Sequence, residues 1–340
     1  MAYLVIGAGS SHSPMLGTPP EHWGLRAIAD ARGRHPYRGK VYTFDELTAL
    51  RKHANFAAQI TLEVWRERHK KCQQQLDYLG KKLTEADLDI LIIIGDDQAE
   101  ILLSDNLPAF LIYKGATVLN KKATQSHLEA LPPGVAIAEW ANEPAHGDQE
   151  IAGAPELANH LISSVMKDGF DVSVSDKIPV GRFGDSGIPH AFGFYYHRIL
   201  NDFSAKPKMA TLPIFVNCFF PPNQPSALRA LNFGKALGKA IQSWDSNKRV
   251  GIAASGGFSH FVIDEELDRR ILKAMENGDE ATIVNEPDSS YQSGTSEIKN
   301  WIAVMGAMSG TGMKFKTVDY IPCYRSEAGT GNANTFGLWS

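Results

Sequence analysis

The sequence predicts an α/β fold: a central mixed β-sheet flanked by helices, with a helical elaboration and a C-terminal arm. Three observations carry this. Short β-rich apolar runs recur along the chain, their hydrophobicity is continuous rather than alternating, and amphipathic helical patterns lie between them. Continuous hydrophobicity marks strands covered on both faces, and alternation of strands with helices indicates layers around one sheet. With 43% hydrophobic and 21% charged residues in 340, the composition is globular rather than disordered.

Taken in order, the strand-like runs are 3–6, 89–94, 109–113, 171–174, 211–217 and 249–254. The first helical pattern, 55–82, places Leu62, Trp65, Cys72, Leu76 and Leu79 on one broad stripe. Others cover 156–166, 189–200, 227–244, 264–275 and 296–308. The stretch from about 18 to 87 is strand-poor and reads as the helical elaboration. From about 317 to 340, Gly329, Gly331 and Gly337 lie among polar residues, which reads as an irregular arm folded over something or as a frayed tail. No repeat, low-complexity tract or linker divides the chain, so one domain over 1–340 is expected.

Several function classes are excluded early. Lys and Arg number 34 against 38 Asp and Glu, a net charge of −4, whereas a duplex-binding surface needs a basic excess to release counterions. No nucleic-acid partner is expected. Cys72, Cys218 and Cys323 are scattered, odd in number and form no C-x-x-C pair, which fits a reducing cytoplasm and excludes a thiolate zinc knot. The run at 3–6 is too short for a signal-peptide core, and no apolar stretch approaches the roughly 20 residues of a bilayer span. A soluble, cytoplasmic protein without a membrane partner is the expectation.

Two motifs fail on their context. GAGSSH at 7–12 has His12 where the dinucleotide fingerprint needs Gly or Ala, and Pro14, Pro19 and Pro20 follow where a phosphate-binding helix should open. GDSG at 184–187 matches the nucleophile loop of trypsin-like proteases, which are all-β; here it reads as a turn.

Polar clusters at successive strand ends form the stronger signal, because ligands of open α/β sheets collect beyond the carboxyl ends of strands. SSHSP with His12 follows the first strand. GDDQAE, with Asp96, Asp97, Gln98 and Glu100, follows the second. Asn217 closes the run at 211–217, and SGGFSH with His260 follows the run at 249–254. Singly, each is more often a turn or a structural histidine; together they favour a site. Two helix starts add to them. Pro189 and His190 open a helix whose dipole should keep His190 neutral and able to accept a proton, while His197, two turns on, reads as structural. Glu297 falls in another first turn, with Thr295 or Ser296 as cap and Ile298, Trp301, Ile302, Met305 and Met308 as the buried stripe. The dipole keeps such a glutamate ionised, as a metal ligand must be, although on helix grounds alone stabilising its own helix is the more ordinary role.

SSHSP, an apolar strand ending in an acidic turn, a histidine opening a helix, GGFSH and a glutamate before an amphipathic helix occur here in that order. The order resembles the class III extradiol ring-cleavage dioxygenases of the protocatechuate 4,5-dioxygenase β-subunit type, over residues 3 to about 310. GTPPEHW, YTFDEL, PPNQP and YRSEAGTGNA make the chain look most like single-chain members of the 3-O-methylgallate dioxygenase-like group. The resemblance implies Fe(II) held by two histidines and a glutamate, a small catecholic aromatic opened with O2, and a homodimer. His12 then matches the first ligand, Glu297 the carboxylate, His260 the general base and His190 a second pocket histidine.

One departure stands out. Where the second histidine ligand belongs, the chain has Gln98 after Asp97. Members of the resembled subgroup carry this glutamine too. Gln98 ligating through its carbonyl, Asp97 ligating, His53 or His146 swinging in, and loss of iron all stay open. In the arm, Tyr324, Arg325 and Ser326 are placed to grip a substrate carboxylate, or Arg325 pins the arm to the domain. The alternatives to a dioxygenase are a non-catalytic binding protein on the same fold and a hydrolase or lyase using another divalent ion.

Overall fold

The computed structural model describes residues 2–132, 134–184 and 187–340. Its strands, in chain order, are β1 (Tyr3–Ser10), β2 (Arg34–Tyr37), β3 (Lys40–Thr43), β4 (Ile90–Gly95), β5 (Phe110–Tyr113), β6 (Thr117–Asn120), β7 (Gln149–Ala152), β8 (Ser173–Ser175), β9 (Ala210–Val216), β10 (Arg249–Ser255), β11 (His260–Val262), β12 (Phe315–Tyr324) and β13 (Thr330–Trp339). Nine of them form one mixed sheet in the order β11-β13-β1-β10-β4-β9-β5-β8, with β12 paired to β13. Strands β1, β10, β4 and β9 run parallel, so their carboxyl ends share one edge.

The continuous apolar runs behave as two-faced strands. In β4, Ile90, Ile92 and Ile94 enter the core beneath helices Pro155–Lys167, Ala227–Ser243 and Ile298–Met308, while Leu91 and Ile93 enter the opposite core against helix Leu62–Glu85. All six expected strand runs are present.

Other expectations shift. The first long helix starts at Leu62, where the Thr61 side chain accepts from Val64 N–H; before it, two 3-10 turns flank Asn55 in the left-handed region. The elaboration is not purely helical, since β2 and β3 form a ribbon within it. The pattern at 189–200 is an α-helix at His190–Phe194 running into a π-turn at Tyr195–Ile199. The largest correction is the arm, which is a regular strand pair: β12 and β13 are antiparallel, and β13 is buried at all ten positions. Its Gly and Asn residues weaken the strand signal. Gly337 is required by packing, since a side chain there would collide with Phe315.

Through Gly7–Ser10, GAGSSH is strand, and the helix that follows, Pro14–Gly17, is a single turn, so there is no phosphate cradle. Asp185 and Ser186 of GDSG lie outside the described residues. The cysteines are free and buried, but Cys72 and Cys323 are not scattered in space; their sulfurs stand 4.0 Å apart. Among the described residues no helix is long and apolar enough to cross a membrane.

Candidate metal centre

The helix Ile298–Met308 carries Glu297 to the ends of the parallel strands. It lies close against Ala227–Ser243, where Gly234, Gly238 and Gly306 bring backbone onto backbone; a side chain on Gly234 would strike the Ala303 carbonyl. Asn300 Nδ2 donates to Ser255 O at 2.8 Å and to Asp96 Oδ1 at 3.2 Å, and Trp301 Nε1 donates to Gly256 O at 2.8 Å. Glu297, one residue before the helix, therefore points down into the strand ends. Gly257 N–H donates to its Oε2 at 2.6 Å. The two glycines of GGFSH are needed for this approach, because a Cβ on Gly257 would stand 2.9 Å from the His260 ring.

His12 reaches the same point from the end of β1. Its Nδ1 is 2.9 Å from Ser255 Oγ, and that hydroxyl donates to Ala191 O at 2.5 Å. A hydroxyl has one proton, so Ser255 must accept from Nδ1–H. Nε2 is thereby left with its lone pair facing Glu297 Oε2 at 3.5 Å. Asp96 completes the group. It is fully buried, and its Oδ2 has no hydrogen-bond partner among the described residues. Ligand atoms of His12, Asp96 and Glu297 all lie within 4.8 Å of one another.

Electrostatics explain why the arrangement asks for a cation. Burial lowers the His12 pKa to about 4 against the pull of Glu297, so the ring is neutral. Burial would raise Glu297, yet His260, His12 and the Gly257 amide bring it down to about 2. Burial and the Glu297 charge push Asp96 well above the usual carboxylate range. A buried, unpartnered carboxylate oxygen beside a second carboxylate and an imidazole lone pair fits a divalent ion, and this N,O donor set suits iron(II), manganese or zinc. Binding would release the Asp96 proton.

Because Ser255 fixes the His12 tautomer, Ser255→Ala is expected to weaken divalent-metal affinity about 10–100-fold, read by anaerobic competition with a chelator. Unchanged affinity would remove Ser255 from the centre.

Two further histidines border the ion position. His260 Nδ1–H donates to Phe258 O at 2.7 Å, aiming Nε2 at Glu297 Oε1, 3.2 Å away, and Thr295 Oγ1 pins its backbone on both sides. Burial opposes its charge, but Glu297 and the Phe258 carbonyl raise its pKa overall. The His190 ring meets that of His12 edge-on, with centroids 4.7 Å apart, and its Nδ1 bonds the Glu100 carboxylate. Here the neutral-imidazole expectation is reversed. Burial disfavours the charge, yet contact with Glu100 raises the pKa to about 10, outweighing the dipole of a five-residue helix.

A cavity of about 290 Å³ opens over the cluster, lined by His12, Gln98, Glu100, His190, His260 and Glu297 among others. Gln98 is beside the ion position but turns its amide nitrogen to Glu297 Oε1 at 3.1 Å, rather than its carbonyl. Asp97 accepts from the backbone N–H groups of Glu100, Ile101 and Leu102, which commits it to its own turn. His53 and His146 are exposed and outside the cavity. The third candidate ligand is Asp96, which sequence reasoning left inside a cluster. Strand parity was the available signal: two residues beyond Ile94, Asp96 keeps the face that Ile90, Ile92 and Ile94 present to helix Ile298–Met308.

The expected caps are also reassigned. Thr295 holds His260, and Ser296 Oγ donates to Ser293 O, so neither caps the helix. His197 bonds Asp202 and is structural. Asn217 does not face the cavity; its side chain ties Phe220 and Asn223 into a turn. Tyr324 lies outside it too, with its hydroxyl on Glu265 at 2.8 Å. Arg325 lines the cavity but is occupied, its fork on Asp30 at 2.7 and 2.9 Å and its third nitrogen on Asn332 at 3.1 Å. With side chains 1% and 7% exposed, this is a buried ion pair that pins the arm. Arg325→Ala would strand the Asp30 charge and is expected to cost about 3–5 kcal/mol, measurable by urea unfolding.

Residues 69–336 match a family model described as the catalytic LigB subunit of aromatic ring-opening dioxygenase. That span contains Asp96, His190, His260 and Glu297. A gallate dioxygenase of Pseudomonas putida is 27% identical over 183 residues, 51% of this chain and 51% of that protein. A 2,3-dihydroxyphenylpropionate/2,3-dihydroxicinnamic acid 1,2-dioxygenase of Klebsiella pneumoniae is 27% identical over 180 residues, 53% of this chain and 46% of that protein. One of the same name from a Mycobacterium is 31% identical over 105 residues, 31% of this chain and 29% of that protein. The matches thus span about half, or less, of the length of these curated relatives.

Proposed function

This chain belongs to the LigB family of aromatic ring-opening dioxygenases, and from that membership we propose that it opens the ring of a catecholic aromatic with O2, in the extradiol manner, using Fe(II). Gallate, methylgallate and protocatechuate derivatives are the substrates this reading favours, in keeping with the similarity to a gallate dioxygenase. The cytoplasm is the compartment it assumes. The observation that carries it is the convergence of His12, Asp96 and Glu297 under one cavity, with an orphaned carboxylate oxygen at the centre.

His12, Asp96 and Glu297 would hold the metal. When bound, iron(II) supplies an electron path between catecholate and dioxygen. The chain's own residues move the protons. His260 presents Nε2 to the cavity while its Nδ1–H donates to Phe258 O, so with Glu297 engaged as a metal ligand this ring would take a substrate hydroxyl proton on Nε2. His190, held as imidazolium by Glu100, retains Nε2–H as its remaining donor and supplies a proton to the developing product. Such steps are worth roughly 10²–10⁴-fold each.

Oxygen uptake by iron-loaded protein with catechol, protocatechuate, gallate and 3-O-methylgallate tests this reading. Uptake with at least one is expected, and none with any would overturn it. The two-carboxylate donor set also admits a hydrolase or lyase; stoichiometric zinc or manganese in freshly purified protein, in place of iron, would favour that reading.

A further inference from the structure

We propose that Arg26 receives an anionic ring substituent, a carboxylate above all, and so selects acidic over neutral catechols; this rests on the ring-opening reading. Among the described residues three arginines line the cavity, Arg26, Arg182 and Arg325. Arg325 spends its guanidinium on Asp30 and Asn332, and the Asp30 carboxylate also takes Thr330 Oγ1 at 2.6 Å. Arg182 is exposed, with its guanidinium 4.5 Å from the Phe183 ring.

Arg26 differs from both. It projects from helix Gly24–Asp30, half-buried, with its stem against Gly134, and no hydrogen-bond or ion-pair partner among the described residues meets its guanidinium. Burial and the neighbouring Arg325 charge lower its pKa to about 10 against the opposing pull of Asp30, so it remains a cation at neutral pH. The described acids that line the cavity are engaged elsewhere. Glu100 faces His190, Glu297 sits among His12 and His260, and Glu139 shares a hydrogen bond with Asn142 at 3.4 Å. With Asp30 hydrogen-bonded to Arg325 and drawing Arg26 only through space, the half-buried Arg26 guanidinium has no ion-pair partner of its own among the described residues. A planar carboxylate answers it through the guanidinium fork, and Leu131, Pro132, Val135 and Phe261, which line the same cavity, offer apolar surface to the ring that carries it.

The test is anaerobic binding of protocatechuate, its methyl ester and catechol to the metal-loaded protein. Wild type is expected to bind the acid about 10–100-fold more tightly than the ester. Arg26→Met should abolish that preference while changing ester and catechol binding by less than about threefold, and Arg26→Lys should keep part of it. Equal weakening of acid and ester by Arg26→Met, no preference in wild type, or loss of the preference in Arg182→Met instead would overturn the proposal. Failure of the ring-opening reading would appear separately, as no oxygen uptake with any catechol while the acid preference in binding persists.

Discussion

A Glu297→Gln protein is expected to fold, to bind a divalent metal at least about 100-fold more weakly than wild type, and to lose oxygen uptake with catechols in proportion. The size of the effect follows from position. Glu297 is 1% exposed and lies 3.5 Å from His12 and 3.2 Å from His260, so its charge is the one held ionised at the ion position. Loss of an outer-shell partner alone commonly weakens metal binding 10–100-fold, and loss of a charged ligand costs more. Glutamine is the informative substitution because it keeps an oxygen for the Gly257 amide; alanine would strand that buried donor and confuse folding with binding. Metal content and oxygen uptake, measured together, check the expectation. Normal metal content would refute it.

Asp96→Asn is expected to act in opposite directions on the two forms of the protein. Metal-free, the variant should be more stable than wild type at pH 7.5. Burial raises the Asp96 pKa far above its unfolded value near 3.9, so wild type takes up a proton on folding and loses stability as pH rises above that value. Asparagine carries no such cost, and the difference should vanish near pH 4 and below. With saturating metal the order reverses, because wild type gains the ligand term and the variant does not. Thermal unfolding at the two pH values, with and without metal, reads all four states. By contrast, Gln98→Ala should leave metal affinity within a few-fold, since its amide nitrogen donates to Glu297.

Much of this was legible in the order of residues. Ile90–Gly95 reads as a two-faced strand because it is one, with alternate side chains in separate cores. His12, His190, His260 and Glu297 stand out because strand ends and helix starts bring chemistry to one edge, and the structure assembles all four around one cavity. The rest depended on distant partners. β13 owes its regularity to β1, β11 and β12 rather than to its own Gly and Asn residues. Arg325 is claimed by Asp30, 295 positions away, which no local pattern signals. His190 is charged because Glu100 faces it across 90 positions, a contact stronger than the helix dipole that local reasoning had to use. In GDDQ, composition cannot tell which aspartate turns inward, and only the pleat of β4 separates Asp96 from Asp97.

The most direct measurement is an anaerobic crystal structure of the iron-loaded protein with anomalous data at the iron edge. A single peak about 2.0–2.3 Å from His12 Nε2, Asp96 Oδ2 and a Glu297 oxygen, with Gln98 uncoordinated, is the result expected. A peak held by Gln98 or another histidine with Asp96 out of reach, or no peak between His12 and Glu297 at full loading, would contradict it.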